Sequence, residues 1–117
     1  MNCSLKLTLA AALSASVLVL ATPAGATDFS CHEATIGAER TICSDRKLSS
    51  LDDKMATLYG RLWAVSGTRE RLTLRTYQHR FLAARDACGR KAACIHDAYL
   101  DQISVLSGRL IEASAEE

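Results

Sequence analysis

Four cysteines constrain this chain more than any other feature: Cys31, Cys43, Cys88 and Cys94 all fall within residues 27–117, behind an N-terminal segment that reads as an export signal. A segment of that length supports one domain with a marginal core, and small exported domains commonly add covalent staples. An even cysteine count in such a setting reads as a disulfide framework. Four cysteines allow three connectivities. The two local pairings, Cys31–Cys43 and Cys88–Cys94, are favoured because each closes a short loop at the edge of an expected helix. Each loop contributes about 2 to 3 kcal/mol. A zinc site is the sharper rival, with His32, His79 and His96 available. No cysteine pair is spaced C-x-x-C, and an oxidising compartment disfavours the free thiolates that zinc requires, so neither metal nor cofactor is expected.

The export signal occupies residues 1–26. Lys6 is its only charged side chain, and Leu7 to Leu20 is apolar except for Thr8, Ser14 and Ser16. Ala21-Thr22-Pro23-Ala24-Gly25-Ala26 then supplies a helix breaker and small residues, which predicts cleavage after Ala26. The apolar core is shorter than the ~20 residues of a membrane span, and Pro23 and the polar Thr27-Asp28 also argue against a retained anchor. No stable membrane anchor is therefore expected after cleavage. Cys3 precedes the apolar run, is no lipid acceptor, and leaves with the signal. The expected product is residues 27–117, one helical domain in the periplasm or secreted from a bacterium.

Residues 27–117 contain no proline and no alternating apolar–polar run, so strand signals are missing. Helical spacing recurs instead. Glu33 to Cys43 is a short candidate helix, with Ile36 and Ile42 apolar and Gly37 a weak point. Leu48, Leu51, Met55, Leu58, Tyr59, Leu62 and Val65 then define one helix face, with Ser44 or Asp45 as N-cap and Ser66-Gly67 as the stop. A further helix runs from Thr68 to Gly89 with Leu74, Tyr77, Phe81, Leu82 and Cys88 inward. The last runs from about Lys91 to Ala113 with Ile95, Tyr99, Ile103, Leu106 and Leu110 inward, ahead of a frayed Ser114–Glu117 tail. Long amphipathic helices joined by short turns predict an all-α fold. The expected form is a small antiparallel three-helix bundle with a short N-terminal helix, stapled by two local disulfides.

Charge is uneven along this domain. Residues 61–91 hold eight basic and two acidic side chains, whereas residues 92–117 hold one basic and five acidic. The whole of residues 27–117 is balanced, with 13 of each sign. Opposite charges paired between neighbouring helices explain this, and so does an anion-binding face. No nucleic-acid partner is expected.

Catalytic signatures are missing. Asp52 and Asp53 are adjacent, so on a helix they diverge by about 100° and cannot flank one substrate as acid and base. Asp52 is expected to pair with a neighbouring helix, for instance with Arg85. There is no nucleophile elbow and no phosphate-binding glycine loop, so the chain is read as a binder and not an enzyme. Gln78, Arg85 and Asp86 form either a recognition cluster or a packing network beside Cys88. Trp63 adjoins the inward Leu62 and is a candidate anchor for a partner. The Ser66-Gly67-Thr68 and Gly89-Arg90-Lys91 turns are the candidate protrusions, and Arg90 and Lys91 join Trp63 as candidate partner-binding residues.

The residue order also resembles a family. Cys31-x-x-Ala34, Glu39-Arg40-Thr41-Ile42-Cys43-Ser44-Asp45, Leu48-x-x-Leu51-Asp52 and Tyr59 are followed by Gln78-x-x-Phe81-Leu82-x-x-Arg85-Asp86-x-Cys88 and Cys94-x-x-x-x-Tyr99. Together these resemble the LprI-like family, small bacterial envelope proteins named for a lysozyme inhibitor, over nearly all of residues 27–117. Two positions depart from the family pattern. Phe81 stands where tryptophan is usual, and Gln102 where arginine is usual. The resemblance implies an exported protein that inhibits lysozyme by binding it, or that binds another envelope protein. The alternative is a non-enzymatic envelope adaptor whose basic middle helix binds an anionic polymer or a phospholipid surface. A third is a structural module that helps other envelope proteins assemble.

Overall fold

The computed structural model describes residues 29–116; the expected signal, with Cys3 and the cleavage site at Ala26, lies outside them. The regular structure of those residues is all helical, with no strand among them. A single 3-10 turn, Cys31–Glu33, leads into α1 (Gly37–Ser44), α2 (Arg46–Val65), α3 (Thr68–Ala87) and α4 (Ala92–Ala115).

The first helix is shorter than its sequence suggests. It begins at Gly37 and not at Glu33, because Glu39 reaches back and accepts a hydrogen bond from the Thr35 backbone N–H at 3.3 Å. An acidic side chain in the first turn that bonds an upstream N–H fixes a helix start. Ile36 therefore falls outside the helix and is exposed. Between α1 and α2, Asp45 takes an extended conformation (φ −112°, ψ 113°) that ends one helix. Its carboxylate accepts from the N–H groups of Lys47 and Leu48, starting the next. Such a cap is worth about 1 kcal/mol.

The core is one cluster assembled from every helix: Ala38 and Ile42 of α1, Leu48, Met55 and Leu62 of α2, Leu74 and Phe81 of α3, and Ile95, Tyr99 and Leu106 of α4. Steps of three and four along each helix put these side chains on one face. Val65 departs from expectation. It is 62% exposed, because at the last position of α2 it fronts a hollow at the helix end and not the core. Tyr77, Leu82 and Leu110 are half-buried at the edge of the cluster. The last helix also runs two residues beyond the expected Ala113, with the Ser114 hydroxyl bonded to the Ile111 carbonyl.

Pairs between α3 and α4 widen steadily in sequence, from Cys88–Cys94 through Phe81–Tyr99 and Gln78–Gln102 to Glu70–Arg109. Two glycines meet at the narrow end, Gly89 in the turn itself and Gly37 at the start of α1. Gly89 has φ +57°, a left-handed conformation in which glycine carries no steric cost. Gly37 faces it across α1, where an added Cβ would lie 3.1 Å from Arg90 Cγ.

Candidate functional site

Both cysteine pairings expected from sequence are present: Cys31 with Cys43 and Cys88 with Cys94, with Cα separations of 5.8 and 5.6 Å. Disulfides of this kind form and persist in oxidising compartments. All four sulfurs are thereby engaged, and none is left as a thiolate for a metal. No helix among the described residues is long and apolar enough to cross a membrane.

The most buried polar groups lie near the Cys88–Cys94 end. Asp52 is fully buried and accepts a 2.7 Å hydrogen bond from the Tyr99 hydroxyl. The same hydroxyl acts on Arg85, which is 3% exposed. Arg85 donates from Nε to Asp86 at 2.8 Å, and its Nη2 lies 2.7 Å from Asp86 and 3.8 Å from Glu39. Its guanidinium also lies 5.3 Å from the Phe29 ring centre and 5.9 Å from that of Phe81. Burial works against the charge of Arg85, but its bonds to Asp86 and Tyr99 outweigh that cost and raise its pKa. Burial, followed by the bond to Asp52, also pushes the Tyr99 hydroxyl well above the ordinary tyrosine value. Asp52 and Arg85, expected as partners, thus converge on Tyr99, while Asp53 is exposed on the other side of α2. Every member of the group is satisfied, so it links α1, α2, α3 and α4 and presents no free reactive group. The Gln78–Arg85–Asp86 cluster divides accordingly: Arg85 and Asp86 belong to this packing network, and Gln78 accepts a 3.3 Å bond from the buried Gln102 amide.

Trp63 lies towards the opposite end, half-buried against the core. Tyr59 stacks on it one helical turn earlier, with ring centres 6.0 Å apart. Two guanidinium groups from α3 lie near the indole, Arg71 at 5.0 Å and Arg75 at 5.2 Å from its centre. Arg71 also donates from Nε to the Trp63 carbonyl at 3.1 Å, tying the end of α2 to α3. Sequence reading did not identify this pairing. The signal was present, because Trp63 and Arg71 are each four residues from Gly67, about one helical turn to either side of the break between α2 and α3.

The third candidate feature is the Gly89-Arg90-Lys91 turn, which the Cys88–Cys94 bond closes. Arg90 and Lys91 are both exposed, and the Arg90 stem passes close to Gly37. The structure does not bring this turn together with Trp63. From Arg71 to Ala87 the chain rises along α3 by ~24 Å at 1.5 Å per residue, so Trp63 and the Arg90-Lys91 turn lie at separate places on the domain.

The Ser66-Gly67 turn presents no cation of its own and adjoins a cavity of about 300 Å³. Its polar wall is Glu70, Arg109, Glu112 and Glu116. Arg109 donates to Glu70 at 2.6 Å and to the Tyr77 hydroxyl at 2.7 Å. Desolvation opposes the charge on Arg109, but Tyr77 and Glu70 outweigh it and raise its pKa.

No family model matches this chain, and no curated protein or solved structure matches it either.

Proposed function

We propose that this chain is an exported, LprI-like, lysozyme-inhibitor-like protein that acts by protein–protein binding and catalyses nothing. In this reading the signal is cleaved after Ala26, residues 27–117 fold as an antiparallel three-helix bundle, and the product resides in the periplasm or is secreted. The observation that carries it is the turn closed by Cys88–Cys94, which holds Arg90 and Lys91 exposed on a covalently fixed loop. Glycoside hydrolases of this kind work with a pair of carboxylates flanking the scissile bond. A cationic loop whose conformation is fixed before binding meets those carboxylates without further ordering cost. The Ser66-Gly67 turn suits that role less well, because it lacks a cation and adjoins glutamates.

The test is lysozyme activity on cell-wall substrate, with the oxidised 27–117 chain titrated in at low and moderate salt. Stoichiometric inhibition that survives moderate salt, and that is lost in R90E/K91E, is the expected result. Absence of inhibition across lysozyme classes would overturn the proposal.

One observation favours a second reading, an envelope adaptor that uses basic α3 to bind an anionic polymer or a phospholipid surface. Among the described residues, Arg69, Arg71 and Arg75 have no carboxylate within ion-pair distance. Paired charges across helices, the bland explanation of the basic block, therefore account for Arg85, which reaches Glu39 of α1, but not for these three.

A further inference from the structure

The corner around Trp63 has the features of a site and not of a merely solvated face. Arg71 is fixed twice, through its Nε bond to the Trp63 carbonyl and through its contact with the indole. That leaves its terminal nitrogens without a protein acceptor among the described residues. Arg75 follows one helical turn later and also contacts the indole. Residues four apart on a helix are surface neighbours, with Cβ atoms about 5 to 6 Å apart. Two guanidinium groups held side by side offer several N–H donors to one tetrahedral oxyanion, and guanidinium groups are the favoured partners of phosphate. Stacked arginines are also weakly hydrated, which lowers the cost of giving up water. Glu70, the only acidic residue in the first three turns of α3, is tied to Arg109 and so does not neutralise the pair.

Leu72 indicates where the phosphate resides. It is 58% exposed, and it lies on the same helix face as Arg69 and Arg75, three residues to either side. A soluble phosphate or a polyanion gains nothing from an exposed leucine among arginines. A bilayer does, because headgroup phosphates meet the cations while the aliphatic chain and the indole enter the interfacial layer. The acidic residues of 92–117 give the domain a charge asymmetry that turns α3 towards an anionic surface.

We propose that Trp63, Arg71, Leu72 and Arg75 form a docking surface for the phosphate headgroups of an anionic phospholipid bilayer. This rests on the second reading above and narrows it from a basic helix to one turn of that helix and one ligand class.

Trp63 is the only tryptophan in the chain, so its fluorescence reports directly on the site. The oxidised 27–117 chain is titrated with phosphatidylglycerol vesicles and with phosphatidylcholine vesicles, at low and moderate salt. Inorganic phosphate and soluble polyphosphate are tested in parallel. Expected are a blue-shifted emission with phosphatidylglycerol alone and salt-weakened binding. R71Q/R75Q should weaken binding by about 30-fold, at about fivefold per arginine near an anionic surface. L72S, which removes no charge and no hydrogen bond, should also weaken vesicle binding. R90Q/K91Q, with the same charge change at the far end, should stay within about twofold of the parent. Equal losses in R90Q/K91Q and R71Q/R75Q would overturn the site in favour of net charge. Phosphatidylglycerol binding that R71Q/R75Q leaves intact would overturn the site while the basic-helix reading stands. Binding to polyphosphate without binding to vesicles would overturn the lipid assignment alone, and binding to neither would overturn both.

Discussion

The two ends of this small bundle solve opposite problems. At one end, Cys31–Cys43 and Cys88–Cys94 flank a group in which the buried Asp52, Tyr99 and Arg85 and the more exposed Asp86 and Glu39 satisfy one another. At the other end, Trp63, Arg71, Leu72 and Arg75 are left partly or largely in water, and the arginines have no carboxylate partner among the described residues. A domain of this size has few places to store stability. Here covalent bonds and a closed polar network concentrate at one end, and exposed apolar surface and arginines with no carboxylate partner among the described residues remain at the other. The contrast separates the residues that hold the fold from the open surface around Trp63, with Arg90 and Lys91 as the exposed exception on the stapled end.

The sharpest way to break this contrast is to remove Asp52. Asp52→Ala leaves the Tyr99 hydroxyl without its acceptor and removes a fully buried carboxylate from the network that Tyr99 shares with Arg85. Breaking one partner of a buried charged group costs about 3 to 5 kcal/mol. The midpoint of urea unfolding should fall accordingly, and a loss under about 1 kcal/mol would mean that the network is dispensable. Disulfide removal comes next. Replacing Cys31 and Cys43 by serine should cost about 3 kcal/mol, and the same change at Cys88 and Cys94 about 2 kcal/mol, following the longer and shorter closed loops. Equal midpoints for the parent and both variants would show that the staples add nothing to this end.

The buried network also predicts a response to alkali. Tyr99 keeps its proton in the folded state to a higher pH than in the unfolded chain, because burial and Asp52 both disfavour the phenolate. Its contribution to stability is therefore complete below the unfolded value of 10.0, and it is lost progressively above that. Thermal midpoints should be flat on this account through neutral pH and should fall above pH 10. Tyr99→Phe should remove the alkaline component.

Much of the stapled end was legible in the sequence. The cysteine pairs, the Asp45 cap and the apolar steps of three and four are local signals, and they lead to the helices observed. What sequence could not provide was the non-local geometry. Nothing at Asp52 announces that its partner is Tyr99, 47 residues away, because the pairing depends on how α2 and α4 pack. The start of α1 was misread because Gly37 looked like a break within a helix, whereas Glu39 makes it the first residue. At the open end, Trp63 was singled out correctly as partly exposed. Its arginine neighbours were counted only as charge, and its distance from Arg90 and Lys91 follows from the length of α3, which no local signal at Trp63 gives.

The smallest effect is expected where the contrast is most exacting. Glu70→Gln weakens a partly exposed ion pair with Arg109 and should cost about 0.5 kcal/mol. Arg75→Gln should change stability by less than about 0.5 kcal/mol in either direction. Its side chain is exposed, and its guanidinium lies over the indole, 5.2 Å from the ring centre. An exposed cation over an aromatic ring contributes about 0.5 to 1 kcal/mol. Against that, Arg71 and Arg75 are like charges one turn apart, and relieving their repulsion returns about 0.2 to 0.5 kcal/mol. The two terms nearly cancel, so urea midpoints of Arg75→Gln and the parent should coincide. A loss above about 1 kcal/mol would make Arg75 part of the scaffold, and the open end would then be held together in the same way as the stapled one.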